Sequence, residues 1–546
     1  MSATLGTFSL PKVENEKLSA YAPGSPERSA LEATLARLSD KTEAIPVVVN
    51  GEKITGLSTA KQYNPSDHKK VVAEYQLADT ATIEKAIEGA LKAKLSWEAM
   101  PFTDRCAIFL KAAELISGKY RYEMLASTML GQGKNIWQAE IDAIAEVTDF
   151  LRFNATYAQE IYAEQPPKHS TGVWNRVEYR PLEGFVYAVA PFNFTAIGSN
   201  LPCAPAIMGN VVLWKPSSYA VYSNYLIYEI LVEAGLPAGV IQFVPGPAAD
   251  MTKTVLSSPH FAALHFTGST AVFKQIWHTI GENLHLDVYR SYPRIVGETG
   301  GKNFHMIHES ANLRNAVMQT LRAAFEYQGQ KCSACSRLYV PDTVWKSFKD
   351  LLLQEHKKID IGVDFLSFMG PVIHKNAFAK IKSYIDWANA DDESEIIAGG
   401  KCDDSVGYFI HPTIIVTKNP KSKTMCEEIF GPILTIYIYK ASEYAQTLDL
   451  VNETSSYALT GSIFAQDRSA ILLADSKLRY SAGNFYINDK CTGAVVGQQP
   501  FGGGRASGTN DKAGSRALLY RFVSMRSIKE NFINLDDFTY PSNKRE

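Results

Sequence analysis

The sequence predicts an α/β protein built on parallel sheets, and three observations lead to this fold class. The chain has 546 residues, which is too long for one ordinary core and favours two or three domains. Hydrophobic residues make up 46% and charged residues 21%, the balance of a globular chain. From Gly184 onward, strand-sized apolar runs alternate with helical segments. Such alternation is typical of a parallel sheet with crossover helices, as in a Rossmann-like domain.

The segments before this alternation are expected to form an arm, a helical region and a flap. Residues up to about Tyr75 are mixed in character and are interpreted as an N-terminal arm. Residues 80–158 show helical periodicity, and residues 104–115 have the three-and-four apolar spacing of an amphipathic helix. After the breaker at residues 165–167, residues 171–180 are predicted to be an exposed strand of a hairpin or flap.

Four predicted strands define the first sheet, and a second α/β unit follows it. The strands are residues 185–190, 210–215, 240–244 and 262–266. A helix over residues 219–234 is expected to end at Gly235. A second alternation runs from about Ala311 to Ser507, without a visible internal repeat. Because parallel sheets bind ligands beyond the carboxyl ends of their strands, the turns behind these strands are candidate sites.

Composition excludes several classes of protein. Lys and Arg number 55 against 57 Asp and Glu, so the chain lacks the basic excess of a nucleic-acid binder. No apolar run is long enough to predict a membrane span. Seven cysteines are too few for a disulfide scaffold, which favours a reducing compartment, and one C-x-x-C without a second ligand pair predicts no metal site. Residues 1–20 show neither a secretory nor an Arg-rich transit pattern, so a presequence is either absent or already removed.

The turns behind the strands suggest a dinucleotide site. Residues 267–270 open a helix and can offer N–H and hydroxyl groups to a phosphate. Lys215, at the end of another strand, can hydrogen-bond a ribose or a phosphate. An ordinary helix cap at Ser269 remains the alternative, and the G-x-G-x-x-G fingerprint is absent.

Two residues are candidates for covalent chemistry. We expect Cys332 at the start of a helix, where the helix dipole lowers the thiol pKa and favours the nucleophilic thiolate. Glu298 follows a strand in a glycine-rich segment and can act as a general base with a raised pKa. The alternatives remain open here: an inert buried Cys332, a solvated Glu298, or a redox pair of Cys332 with Cys335.

Seven motifs occur in the order found in one enzyme superfamily. They are residues 191–194, 215–217, 266–269, 298–301, 329–332, 427–432 and 500–503. From about Pro46 to Gly508 the chain resembles the aldehyde dehydrogenase superfamily. Residues 482–490 and 492–501 are similar to its glutamate γ-semialdehyde branch.

The resemblance implies a function and three catalytic residues. Cys332 would attack an aldehyde to give a thiohemiacetal, with Asn193 and the Cys332 backbone N–H as the oxyanion hole. Glu298 would activate the water that hydrolyses the thioester left after hydride transfer. The implied reaction is NAD-dependent oxidation of L-glutamate γ-semialdehyde to L-glutamate, the second step of proline catabolism. The alternative within the superfamily is a general aldehyde dehydrogenase with another substrate range.

The resemblance also implies two sets of binding residues. The implied NAD contacts are Lys215, Ser218, Gly246, Thr267, Gly268, Ser269, Glu428 and Phe430. The implied substrate contacts are Phe194 and Phe501 on the methylene groups, and Ser333, Gly493 and Ala494 on the α-carboxylate. Ser218 stands where many relatives have an acid that grips the ribose hydroxyls, so NADP is expected to be a poorer cofactor.

The implied architecture is the aldehyde dehydrogenase fold with three parts. Residues 1–155 and 183–299 are expected to form the Rossmann-like NAD-binding domain with its arm, and residues 300–505 the α/β catalytic domain. Residues 156–182 and 506–546 are expected to form an oligomerisation flap and a C-terminal tail. The implied state is a homo-oligomer, expected to be a dimer. The implied location is the mitochondrial matrix in a eukaryote and the cytoplasm otherwise.

Three rival functions have distinct signatures. A non-redox thiol enzyme would use Cys332 without NAD. A catalytically silent family member should lack Cys332, Asn193 or Glu298, and this chain has all three. A C-x-x-C oxidoreductase would require Cys335.

Overall fold

The computed structural model describes residue 6 and residues 8–544. Residues 1–5 and 7 of the predicted arm, and residues 545–546 of the predicted tail, lie outside the described residues. The α-helices are α1 Pro26–Ser39, α2 Thr80–Ala99, α3 Phe102–Ser117, α4 Arg121–Gln132, α5 Ile136–Ala139, α6 Val147–Ala163, α7 Thr195–Ile207, α8 Val221–Ala234, α9 Ala248–Leu256, α10 Thr270–His285, α11 Leu313–Phe325, α12 Asp342–His356, α13 Lys375–Ala390, α14 Lys423–Cys426, α15 Tyr444–Glu453, α16 Arg468–Lys477 and α17 Arg516–Tyr520. A π-helix spans Glu140–Glu146, and 3₁₀ helices span Glu326–Gly329, Ala441–Glu443 and Pro541–Asn543.

The strands form two large sheets and four small ones. They are β1 Glu43–Ile45, β2 Val47–Val49, β3 Glu52–Ile54, β4 Thr59–Asn64, β5 Asp67–Gln76, β6 Val173–Pro181, β7 Phe185–Val189, β8 Val211–Lys215, β9 Ile241–Phe243, β10 Phe261–Thr267, β11 Arg294–Glu298, β12 Asn303–Ile307, β13 Cys335–Pro341, β14 Ser394–Ala398, β15 Cys402–Asp403, β16 Phe409–Ile410, β17 Thr413–Thr417, β18 Ile433–Tyr439, β19 Tyr457–Ala458, β20 Thr460–Phe464, β21 Asn484–Ile487, β22 Gly504–Arg505 and β23 Val523–Asn531.

The first large sheet has the order β11-β10-β7-β8-β9-β2-β3, and its five central and edge strands β11 to β9 run parallel. The four predicted strands are confirmed as β7 to β10, each within one residue at either end. They are continuous apolar runs because both faces are covered, as in β8, where every residue is buried. The helix predicted from Tyr219 begins instead at Val221, because Ser217 accepts the Tyr219 and Ala220 N–H groups in a turn. It ends at Gly235 as predicted, with φ 111°.

The second large sheet has the order β14-β17-β18-β13-β12-β20-β21. Its strands are parallel except for the antiparallel edge strand β14. It begins at Asn303, eight residues before the predicted start near Ala311, because the buried run of β12 directly follows the turn after β11. The two sheets therefore meet at residues 299–302, beside Glu298.

The helical region and the arm pack around the first sheet. The predicted helical segment is confirmed as α2 to α6 and ends at Ala163, just before the prolines. The amphipathic segment at residues 104–115 lies within α3, whose Phe109 and Ile116 are buried in the core. The arm supplies β2, which pairs with β9, and a separate three-stranded sheet of β1, β5 and β4.

β6 and β23 form a separate two-stranded antiparallel ribbon. The predicted flap strand is β6, and β23 pairs with it antiparallel over nine residues on each strand. The tail beyond β23 exposes Phe532, Leu535 and Phe538. Within the described residues, no helix has the length and apolar character needed to cross a membrane.

Candidate active site

Cys332 lies in a turn between a 3₁₀ helix and β13, so the prediction of a helix start is wrong. Asn303, the first residue of β12, holds this turn. Its side-chain amide donates to Cys332 O at 2.7 Å and to Ala334 O at 2.8 Å. The turn is therefore fixed from the sheet beneath it rather than by a helix that follows it.

The expected lowering of the Cys332 pKa is also wrong. Cys332 keeps some exposed surface, but the surrounding protein raises the pKa of its thiol far above the usual range. The nearby Glu298 and Glu428 carboxylates raise it further. Without a helix dipole to favour the thiolate, the sulfur is a thiol that needs a base.

Glu298 is the last residue of β11, at the edge of the first large sheet, and lines the same cavity as Cys332. Its carboxyl Oε2 is buried and has no hydrogen-bond partner among the described residues. This burial raises the pKa of Glu298 well above the usual range, as predicted. Gly301 lets the two segments approach, because a Cβ atom there would lie 2.2 Å from Cys332 O.

A cavity of about 120 Å³ joins residues from both sheets. Eight of the sequence-predicted site residues line it: Phe194, Thr267, Glu298, Cys332, Ser333, Gly493, Ala494 and Phe501. The predicted nucleophile, the predicted base and all five predicted substrate contacts thus surround one small space, although they come from five separate segments of the chain.

Asn193 is not among the residues that line this cavity. Its side-chain amide is buried and donates to Gln330 O, two residues before Cys332, at 3.1 Å. One amide N–H is thus engaged with the backbone, and the second is the donor left for an oxyanion.

A buried ion pair lies beside the Phe194 ring, which lines the cavity. Lys134 Nζ lies 2.7 Å from the Asp142 carboxylate and 4.0 Å from the centre of the Phe194 ring. Asp142 also accepts the Thr195 and Ala196 N–H groups at the start of α7. The ring is therefore held by a cation on one side and a capped helix on the other.

The predicted carboxylate anchor contains two backbone N–H groups that are free to donate hydrogen bonds. Neither the Gly493 nor the Ala494 N–H has an acceptor among the described residues. Ser333 Oγ lies 2.7 Å from Thr492 Oγ1, which ties the nucleophile turn to the glycine loop. Gly493 has φ 88°, a left-handed conformation that favours glycine. Two adjacent N–H groups in such a loop suit an anionic group.

The predicted cofactor residues, apart from Thr267, do not line this cavity. Lys215, Ser218, Gly246, Gly268 and Ser269 end or follow strands of the first sheet, whereas Glu428 and Phe430 precede β18 of the second sheet. Lys215 is buried, its ammonium donates only to Pro216 O at 3.3 Å within the described structure, and burial lowers its pKa to about 8. A buried ammonium group with one long hydrogen bond can donate its other N–H groups to a polar ligand. Gly268 N–H is already bonded to Glu298 O, and Ser269 caps α10, so a phosphate would meet the other N–H groups of that helix turn.

The remaining predicted cofactor residues differ in how firmly they are held. Glu428 accepts the Gly301 N–H at 2.9 Å, which ties it to the turn between the two sheets. Phe430 has a left-handed φ of 63° and packs edge-on against Phe192. Ser218 contacts the Tyr75 hydroxyl, and Gly246 lies against Ala78.

Comparison with known proteins matches residues 53–528 to the Aldehyde dehydrogenase family. The chain belongs to this family. The delta-1-pyrroline-5-carboxylate dehydrogenase of Agaricus bisporus is 57% identical over 546 residues, which cover 99% of each chain. The mitochondrial delta-1-pyrroline-5-carboxylate dehydrogenase of Homo sapiens is 51% identical over 532 residues, or 97% of this chain and 94% of the human one.

A solved structure confirms the predicted fold of this aldehyde dehydrogenase. The crystal structure of the delta-pyrroline-5-carboxylate dehydrogenase from Mycobacterium tuberculosis bound with NAD is similar with a TM-score of 0.95. The two sequences are 44% identical, and the match covers 99% of this chain and 100% of the other.

Cys335, the second cysteine of the C-x-x-C pair, lies beside residues other than Cys332. All seven cysteines are free. Cys335 is buried at the start of β13, and its thiol lies within 4.8 Å of His305 and Cys491. The structure therefore gives the redox-pair alternative no support, because Cys335 is grouped with a thiol 156 positions away in the sequence.

Sequence reasoning missed the charged residues of the cavity. Glu146 lines it from the π-helix and forms no salt bridge among the described residues, whereas Glu326 pairs with both Lys331 and Lys490. Lys512 lines it from the segment before α17. Lys331 and Lys490 lie within the motifs at residues 329–332 and 482–490 and could have been noticed, but Glu146 lies in a helical stretch without a local signal.

Proposed function

We propose that this chain oxidises L-glutamate γ-semialdehyde to L-glutamate with NAD, in the second step of proline catabolism. The observation that carries the proposal is one cavity lined by a thiol, a carboxylate base and two unbonded backbone N–H groups. The names of the relatives agree with it, because pyrroline-5-carboxylate is the cyclic form of this semialdehyde.

Acylation starts with the Cys332 thiol. The thiol proton passes to solvent, and the sulfur forms a bond to the aldehyde carbon while the carbonyl electron pair moves to oxygen. The Cys332 N–H and the free amide N–H of Asn193 stabilise that oxyanion, and removing one such donor costs ~3–4 kcal/mol.

Hydrolysis returns the enzyme to its starting state. NAD, when bound, supplies a hydride acceptor, which converts the adduct on sulfur to the oxidation level of an acid. Glu298 then removes a proton from water, whose oxygen attacks the thioester carbon. The C–S bond breaks, and Cys332 leaves as a thiolate.

The far end of the substrate sets the selectivity. The α-carboxylate accepts hydrogen bonds from Gly493 and Ala494 N–H and from Ser333, and the methylene groups lie between Phe194 and Phe501. Glu146 faces the α-ammonium group, since it is a cavity carboxylate without a salt bridge. Binding at this end places the aldehyde carbon at the sulfur, so remote binding energy is used for orientation.

The cofactor site is proposed at the carboxyl edge of the first sheet. Lys215 and Ser218 would contact the adenosine ribose, Gly246, Thr267, Gly268 and Ser269 would line the path of the adenosine and pyrophosphate, and Glu428 with Phe430 would hold the nicotinamide ribose. Because Ser218 is neutral, we propose that NADP is a weaker second cofactor. The ratio of kcat/KM for NAD and NADP measures this preference, and a ratio below one would overturn it.

We also propose the domain assignment that the sequence predicts, with a dimer formed through the β6–β23 ribbon and the tail, and a mitochondrial location. The ribbon offers a free strand edge, and the tail exposes Phe532, Leu535 and Phe538. The name of the human relative supports the location. A monomer mass in sedimentation at micromolar concentration would exclude self-association.

One assay tests the proposed reaction. NADH formation is followed with pyrroline-5-carboxylate and, in parallel, with pentanal, which has the chain length but no α-carboxylate. We expect kcat/KM to be at least roughly 10²-fold lower for pentanal, from ~2.7 kcal/mol at about 1.36 kcal/mol per decade. Comparable values would favour the alternative, a general aldehyde dehydrogenase.

A further inference from the structure

The Glu298 carboxylate rests against a glycine turn of the C-terminal segment. A Cβ atom on Gly502 would lie 2.9 Å from Glu298 Oε1, and the Gly503 backbone lowers the pKa of the carboxyl group. The β11 backbone is bound to the same segment, because Glu298 forms a β-bridge with Gly508. The position of the base therefore depends on what holds this turn.

Lys512 holds the turn from the other side. Its Nζ donates to Gly502 O and to Gly483 O, each at 2.8 Å, and lies 3.4 Å from Asn484 Oδ1. Lys512 also has a left-handed φ of 58°, a conformation that costs free energy for a residue with a Cβ and persists where the surroundings impose it. All three ammonium donors are thus directed at the segments that surround the base.

The charges that face Glu298 come from few residues. Lys512 is the cation, Asp511 is an acid whose carboxylate is itself bound to Arg521 at 3.4 Å, and Cys332 contributes a thiol. Burial raises the pKa of Glu298, and Lys512 opposes that rise. Lys512 lines the same cavity as Glu298, so its charge acts through protein and not through bulk water.

We propose that Lys512 is a positioning residue for Glu298, clamping the Gly502–Gly503 turn against which the carboxylate rests and supplying a positive charge that favours its ionised form. This inference rests on the proposed function, in which Glu298 is the base of thioester hydrolysis. Lys512 does not touch the reacting atoms, and it acts through the base.

The test compares Lys512→Met with Lys512→Arg, using the pH dependence of steady-state turnover. Loss of a neighbouring opposite charge raises a carboxyl pKa by about one unit or more. The acidic limb of the profile, where turnover falls as the pH is lowered, should therefore lie higher by that amount in Lys512→Met. Below the limb, turnover should fall about tenfold relative to the unmodified enzyme, with the initial burst of NADH retained. Lys512→Arg should keep the limb near its original place because it retains the charge.

Two further variants separate this role from a loss of folding. Lys490→Met removes another cavity ammonium, one that faces Glu326, and should leave the limb unmoved. Asp511→Asn removes the acidic neighbour and should move the limb down. An unmoved limb in Lys512→Met, or equal upward shifts in the Met and Arg variants, would overturn the proposal.

The profiles are recorded with pyrroline-5-carboxylate and with pentanal. If the unmodified enzyme failed to use pyrroline-5-carboxylate, the proposed substrate would be lost, while the limb measured with pentanal would still report on Lys512 and Glu298. The two failures are therefore distinguishable.

Discussion

Replacing Gly493 with valine is expected to damage oxidation of the semialdehyde far more than oxidation of pentanal. Gly493 has φ 88°, where a side chain costs roughly 1–2 kcal/mol. A Cβ atom there would meet only the end of the Lys490 side chain, at 3.2 Å and 3.3 Å, so no rigid core atom is displaced. The strain is relieved by rotation of the loop peptides, which turns the free N–H groups of residues 493 and 494 away from the cavity.

The size of the effect follows from those two donors. A hydrogen bond to a charged group contributes about 1.5–3 kcal/mol, so losing one lowers kcat/KM by about 10- to 10²-fold. Pentanal has no carboxylate, and its kcat/KM should change by less than about threefold. The assay is NADH formation at matched pH with both substrates.

A matched control distinguishes the loop from backbone strain in general. Gly56 has φ 84°, and no atom lies within 4 Å of a Cβ built on it. Gly56→Val carries the same conformational penalty far from the cavity and should leave both substrates unaffected. Equal losses for pentanal and the semialdehyde in Gly493→Val would refute the assignment of residues 493 and 494 to the carboxylate.

Four other variants test the chemistry and the second charge of the substrate. Cys332→Ala should abolish oxidation while NAD binding, measured by calorimetry, persists; Cys335→Ala should retain most activity, and equal losses would revive the redox pair. Glu298→Gln should release one burst of NADH and then stall as a thioester, whereas turnover at the normal rate would remove Glu298 from the mechanism. Burial raises the pKa of Glu146 to about 8, so it is mostly protonated at pH 7, and ionisation as the pH rises through 8 should improve kcat/KM for the semialdehyde relative to pentanal. Glu146→Gln should lose that rise and about tenfold in kcat/KM for the semialdehyde, and a retained rise would assign the ammonium group to another residue.

The local pattern was enough to predict the parallel sheet and the turns of the site. Strands such as β8 are short, continuous apolar runs because both of their faces are covered, and that pattern is readable without any long-range contact. The ends of these strands then mark the edge at which ligands bind. The order of seven motifs added the family, and with it Cys332, Glu298 and the glycine loop.

Local signals failed where the structure depends on distant partners. The start of β13 looked like a helix start, but the Cys332 turn takes its shape from Asn303, 29 positions earlier in the chain. The pairing of β6 with β23 joins segments that share no local signal. The strand predicted at residues 171–180 was right, and its partner could not be read from it.

The sequence by itself determined the fold class and the family and predicted Cys332 as the nucleophile, because each depends on short segments whose residue types and order can be recognised without the fold. Only the tertiary structure decided the electrostatics of the site. Glu146, Glu298 and Lys512 belong to different segments and meet at one cavity only after both sheets pack. Their pKa values depend on burial and on charges brought close by that packing, and neither quantity exists in the unfolded chain.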